Sequence, residues 1–157
     1  MAVWRVASMV LAVALVVGYA IGSGRWVTTG STWYLSLDQP AWQPPPAVFG
    51  LAWSYNFIVL AIVGVVMAGS AAPARVAAFL GTLAITFALA ITWAYLFYVP
   101  HALVASALAL SACAALTIVP LMLAFAERPW LGWILVPYEI WLVIATSLSW
   151  GYVALAR

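Results

Sequence analysis

The chain has 157 residues, of which 69% are hydrophobic and 5% charged, with a formal net charge of +2. A soluble domain carries roughly a quarter charged residues, so this chain must be solvated by lipid rather than water. All five basic residues are Arg, and there is one His and one Cys, which excludes a retinal Schiff base, a bis-histidine haem and an internal disulfide.

His101 has no second imidazole to share a zinc ion with, so a metal site would need carboxylate or thiolate help. The small, dispersed positive charge offers nothing to nucleic acid.

About 20 apolar residues cross ~30 Å of hydrocarbon as a helix, and five such runs follow one another. Span one covers about 4–23. Arg5, an apolar run and small residues near Ala20 give it the look of a secretory leader, but the run is longer than a leader's core. The connection that follows, about 24–45, is the only long one. Span two runs over about 46–67 and opens on Pro46, which a first helical turn tolerates. After "GSAAPAR" comes span three, about 75–97. The Pro-marked turn "YVPH" leads to span four, about 102–125, and "AERPW" to span five, about 131–155.

The expected fold is therefore all-α: one integral membrane domain over 1–157, a five-transmembrane-helix bundle with a structured loop between the first two spans. Pro120 is expected to kink span four, and Pro137 to loosen the start of span five. Arg5, Arg75 and Arg128 on one side against Arg25 and Arg157 on the other point to a cytoplasmic N-terminus.

Trp4, Trp26, Trp130 and Trp133 lie near span ends, where an indole belongs at a membrane interface. Trp53, Trp93 and Trp141 lie inside spans. An indole N–H in hydrocarbon needs an acceptor, so these rings face a cavity or polar neighbour, or pack between helices.

On span two, Phe49, Trp53, Asn56, Phe57 and Leu60 share one helical stripe. On span five, Tyr138, Trp141, Ala145, Leu148 and Tyr152 share another, with Ser149 at its edge. Large rings beside small residues and isolated polar atoms suit an apolar small-molecule pocket.

The stretch 33–46 begins at the membrane face nearest Trp53 and Trp93. Its prolines stiffen it, and Trp33, Tyr34 and Trp42 give it an aromatic underside. It reads as a lid over a cavity between helices. The candidate ligand-binding residues are Trp33, Tyr34, Trp42, Phe49, Trp53, Trp93, Tyr138, Trp141, Ala145, Leu148 and Ser149.

Glu139 is the one acid inside a span, a functional suspect by default. It stands about 200° around the helix from Trp141, so it should face away from the pocket, in a structural or subunit contact. Small residues at Gly18/Gly22, Ala77/Gly81, Ala84/Ala88 and Ala90/Ala94 allow close helix approach. Those on span three point to a homodimer contact.

"WYLSLDQPAWQPPPAVFGLAW", residues 33–53, closely resembles the signature W-Y-x-x-L-x-x-P-x-W-x-P-P-x-x-V-F/L-x-x-x-W of the translocator protein family. That family is also called the tryptophan-rich sensory protein or peripheral-type benzodiazepine receptor family. Trp33, Tyr34, Leu37, Pro40, Trp42, Pro44, Pro45, Val48, Phe49 and Trp53 fall in register, and "PYEIWLVIATSLSW" is a second matching patch.

The resemblance implies a usually dimeric five-helix bundle in the bacterial cell membrane, with a pocket capped by the first loop. It implies a receptor for tetrapyrroles such as protoporphyrin IX and haem, with cholesterol and isoquinoline or benzodiazepine drugs as further ligands, and a regulatory role in tetrapyrrole metabolism or stress. No cofactor or metal is required; porphyrin or haem is the ligand.

Light-dependent porphyrin breakdown, reported for some members, would fall to Trp53 and Trp141 as catalytic residues. No acid–base pair or nucleophile supports ordinary turnover, so binding is preferred to catalysis. Passive porphyrin or sterol carriage is a third reading.

The chain also departs from the family. Ala90 and Ser149 stand where the family often has Asn, so hydrogen bonds there should be lost or weakened, and "WAY" replaces a "WPP"-like run after Trp93. A sterol pattern can be drawn as Leu148, Tyr152 and Arg157, offset from the family's own.

Overall fold

The computed structural model describes residues 2–156. Helix α1 (Val3–Trp26) is followed by a single turn, α2 (Thr32–Leu35). Four long helices then complete the chain: α3 (Pro46–Ser70), α4 (Pro73–Tyr98), α5 (Leu103–Glu127) and α6 (Pro129–Leu155). No strand occurs among the described residues. The five long helices are each long and apolar enough to cross a membrane, and the chain is a multi-pass integral membrane protein.

The helix starts follow from proline chemistry. Pro46, Pro73 and Pro129 each sit in a first turn, where a missing N–H leaves no bond unmade. The same prolines keep the α3–α4 and α5–α6 connections short, so consecutive helices run antiparallel. The helices overrun the hydropathy limits by up to three residues, as α1 does through Arg25 and Trp26. Pro120 and Pro137 lie inside α5 and α6, which continue as helix through both.

The α4–α5 turn closes on His101, whose φ of 57° lies in the left-handed region. A non-glycine residue there carries strain, and here the imidazole stacks on Trp33 with 3.7 Å between centroids and 10° between planes.

The long helices form a closed ring in which α1 packs on α3, α3 on α6, α6 on α5, α5 on α4 and α4 on α1. Sequence neighbours α3 and α4 barely touch. Small residues let α1 and α3 approach closely. A Cβ placed on Gly64 would lie 2.9 Å from the Cβ of Ala12, so the α1–α3 crossing depends on a bare backbone.

Further in, Tyr19 stacks on Phe87 at 4.5 Å. Ala90 and Ala94 are buried, so that part of the span-three small-residue row serves packing within the bundle. Gly81, by contrast, opens onto empty space.

The two ends of the ring differ. At the end away from the long loop, Arg75 Nη1 meets Glu127 Oε2 at 2.6 Å, and Ser70 Oγ donates to Glu127 Oε1 at 3.0 Å. One carboxylate thereby ties α3, α4 and α5 together. Arg5 adds α1 by donating to the carbonyl of Gly69, an unsatisfied group in the last turn of α3. At the loop end no comparable ion pair occurs among the described residues, and the helices splay around a cavity.

Candidate functional site

The cavity has a volume of about 600 Å³, within the range of small-molecule sites. Four helices and the long loop build it, and among the described residues α5 contributes nothing to its wall.

From α3 come Phe49, Trp53 and Phe57, spaced by four and therefore stacked along one face. From α6 come Trp141, Ala145, Leu148, Ser149 and Tyr152, and from α4 come Trp93, Phe97 and Tyr98. Helix α1 supplies the small residues Ala20, Ser23 and Gly24, which leave room where a larger side chain would fill the space.

The aromatic wall is interlocked. Trp53 lies edge-on to Trp141 with centroids 6.5 Å apart and stacks on Phe57 at 5.5 Å. Phe49 meets Trp141 edge-on at 5.2 Å. Edge-to-face and offset contacts suit the quadrupoles of these rings and hold their faces at fixed angles.

Residues of the long loop, among them Tyr34, Gln39 and Gln43, complete the lining. The Ser31 hydroxyl accepts from the Tyr34 N–H at 3.2 Å and so caps the single turn of α2. That turn brings Tyr34 over the cavity. The Tyr152 hydroxyl donates to Gln43 Oε1 and lies 3.4 Å from the Tyr34 hydroxyl, joining loop to α6.

The same loop rests directly on α6 at Gly151, where an added Cβ would lie 2.7 Å from Pro40 Cγ and 3.0 Å from Trp42 Cζ2. Gly151→Val is therefore expected to lift residues 40–42 off the helix and raise amide hydrogen exchange of the loop by about tenfold or more, leaving α3 and α4 unchanged. Unchanged loop exchange would mean that this contact does not hold the loop.

The structure gathers Tyr34, Phe49, Trp53, Trp93, Trp141, Ala145, Leu148 and Ser149 around the cavity. Three other sequence candidates lie elsewhere. Trp33 turns to the α4–α5 side, against Phe97 at 5.4 Å and His101. Trp42 is 58% exposed and donates its indole N–H to Ser147 Oγ at 3.2 Å. Tyr138 is buried in the core, a turn below Trp141 and beyond the cavity floor.

Asn56, on the same stripe as Trp53, is buried in the core as well. Sequence reasoning missed the wall that α1 provides, as well as Gln39, Gln43 and Phe97. The spacing of Ala20, Ser23, Gly24 and Val27 at i, i+3, i+4 and i+7 was its only trace.

Ser149 keeps a hydrogen bond despite replacing the family Asn, since its Oγ accepts from Trp93 Nε1 at 2.9 Å. Ala90 is buried without a polar atom to offer. Glu139 does not line the cavity, and its Oε2 is buried without a hydrogen-bond partner among the described residues. Leu148 and Tyr152 of the sterol pattern line the cavity, while Arg157 lies outside the described residues.

Comparison with known proteins agrees with the motif. The model of the TspO/MBR family matches residues 9–155. The protein CrtK of Rhodobacter capsulatus is 30% identical over 132 residues, covering 83% of this chain and 82% of its own length. The tryptophan-rich sensory protein of Cereibacter sphaeroides is 30% identical over 142 residues, 87% of each chain. The tryptophan-rich protein TspO of Bacillus cereus is 28% identical over 120 residues, 76% of this chain and 77% of its own. With a family model spanning nearly all of the five-helix bundle and relatives matched along most of their length, the chain belongs to the TspO/MBR family.

Proposed function

We propose that the chain is a membrane receptor that holds a tetrapyrrole such as protoporphyrin IX or haem between Trp53, Trp93 and Trp141, with residues 24–45 as the lid. The observation that carries this reading is the convergence of three indoles, from α3, α4 and α6, on one cavity beneath the loop. Flat aromatic walls recognise a flat ring by stacking and shape, so no metal ligand is needed. A ring that buries roughly 500 Å² gains about 12 kcal/mol relative to water. Association losses of about 4 kcal/mol or more then bring the affinity to micromolar. Occupancy that shifts the lid would turn ligand level into a signal for tetrapyrrole or stress regulation. The same apolar space admits a sterol or an aromatic drug.

A second reading, light-dependent porphyrin breakdown with dioxygen as the oxidant, draws on the placement of Trp53 and Trp141 side by side on the cavity wall, 6.5 Å apart, where both indoles would flank a bound ring. One experiment separates the two. Purified protein is titrated with protoporphyrin IX in darkness and in light, as wild type and as Trp53→Phe/Trp141→Phe. Saturable tryptophan quenching without pigment loss supports the receptor. Bleaching that needs light and disappears in the double variant supports breakdown. Quenching that never saturates removes both.

We further propose that two copies associate through the open row of α4, where Ala77, Gly81 and Ala84 border a shallow groove against α1. Gly81→Leu should turn a dimer in mild detergent into a monomer by light scattering. A dimer that persists would place the contact elsewhere.

A further inference from the structure

The chemistry of the cavity wall is one-sided in a way that constrains the ligand. Among the described residues, no Asp, Glu, Lys, Arg or His lines it. Its floor is aromatic: Phe57, Trp53 and Trp141. Its polar atoms are all uncharged: Tyr34, Gln39, Gln43 and Tyr152 lie at the loop end, Ser149 lies on α6, and Trp141 Nε1 at the floor is buried without a hydrogen-bond partner among the described residues. The Tyr152 hydroxyl is bonded to Gln43, and Trp93 Nε1 to Ser149.

The charges nearby do not compensate. Arg25 follows the lining residues Ser23 and Gly24 but is not itself one of them. Its guanidinium lies over the Trp26 ring at 5.3 Å. Between Val27 and Pro45 the only formal charge is Asp38, next to the lining residue Gln39. An ionised carboxylate entering this space would lose hydration, find no cation and meet a like charge at the lid.

We infer that the cavity selects against ionised carboxylates, and that it takes a flat apolar ring whose polar edge is uncharged. A neutral carbonyl needs a single donor, which a tyrosine hydroxyl or a glutamine amide supplies. A carboxylate needs several donors or a cation. This rests on the tetrapyrrole reading above and deepens it: a ring with esterified acids binds more tightly than the same ring as a free diacid.

The test uses the full chain in lipid nanodiscs at neutral pH, in darkness, followed by tryptophan quenching. The probes are protoporphyrin IX, its dimethyl ester and the tetra-acid coproporphyrin, with each affinity referred to the probe concentration in the disc lipid. The expected order is diester, diacid, tetra-acid, each step weaker by about tenfold.

Gln39→Arg places a cation on the wall and should raise the diacid-to-diester affinity ratio by about tenfold. Because the variant is compared with wild type for each probe, differences in lipid partitioning cancel. A diacid that binds wild type more tightly than the diester would overturn the inference alone, as would a diacid-to-diester ratio unmoved by Gln39→Arg. Saturable binding by none of the probes would remove the tetrapyrrole reading and this inference with it.

Discussion

Ala145→Phe is expected to weaken porphyrin binding by about a hundredfold or more and to leave the bundle folded. Ala145 stands on the cavity wall, one turn from Trp141 and beside Leu148 and Ser149. A benzyl group projected from its Cβ occupies the space that a flat ligand needs, and close-packed surroundings give it no other place to go. A hundredfold loss corresponds to about 2.7 kcal/mol, well within what a displaced ring forfeits. The cavity lies beside the packed core, so a larger apolar side chain in it should leave thermal unfolding in detergent unchanged or slightly raised. Val143→Phe is the control, because Val143 is 56% exposed on the outer face of α6 and a larger apolar group there meets only lipid. Equal binding by the Ala145 variant and wild type would mean that the ligand lies elsewhere.

Gly64→Leu is the complementary case, a change with its largest effect on stability. The α1–α3 crossing brings the Cβ of Ala12 within 2.9 Å of where a Gly64 Cβ would stand, with the Ala12 Cα at 3.9 Å. The obstacle is an alanine and its backbone, so no flexible side chain can swing aside and the helices themselves must part. Overpacking of this kind costs about 1–3 kcal/mol and at times more. A leucine at a backbone-to-backbone contact belongs at or above the upper end. Moving α1 also moves Ala20, Ser23 and Gly24, so binding should weaken together with stability. The smaller change Gly64→Ala should be partly rescued by Ala12→Gly, and a double-mutant cycle in thermal unfolding measures that coupling. Strict additivity would show that the two residues do not press on each other.

The contrast between these sites shows what the residue pattern conveyed and what it left out. Hydropathy located the five spans within a few residues, because a 30 Å hydrocarbon slab imposes a length on any helix that crosses it. The motif in residues 33–53 and the four-residue spacing of Phe49, Trp53 and Phe57 identified one aromatic wall. The α6 stripe identified the opposite one.

Tyr138, a site candidate, and Asn56, a stripe neighbour of Trp53, lie outside the cavity lining because periodicity fixes the direction of a side chain but not its depth. Both share a stripe with a cavity residue, yet they sit where the ring of helices has already closed. Trp33 and Trp42 lie outside the cavity lining, which the residue pattern could not foresee because a loop has no period. A one-turn helix and the perch of Pro40 on Gly151 decide which aromatics face inward, and the inward ones are Tyr34 and Gln43 rather than the tryptophans. The wall from α1 was hardest to see, since its contribution is the absence of bulk. Ala20, Ser23 and Gly24 read as ordinary packing residues until the neighbouring helices are in place.

The central claim is that one chamber, walled by Trp53, Trp93 and Trp141 and covered by the loop, receives the ligand. The most direct test is an experimental structure of the full chain in nanodiscs with bound protoporphyrin IX, at a resolution that shows ring orientation. The account predicts the macrocycle between the indoles of α3 and α6, under Tyr34 and Gln43, with its carboxyl groups turned toward the loop end. A macrocycle on the lipid-facing surface, with the chamber unoccupied, would contradict it.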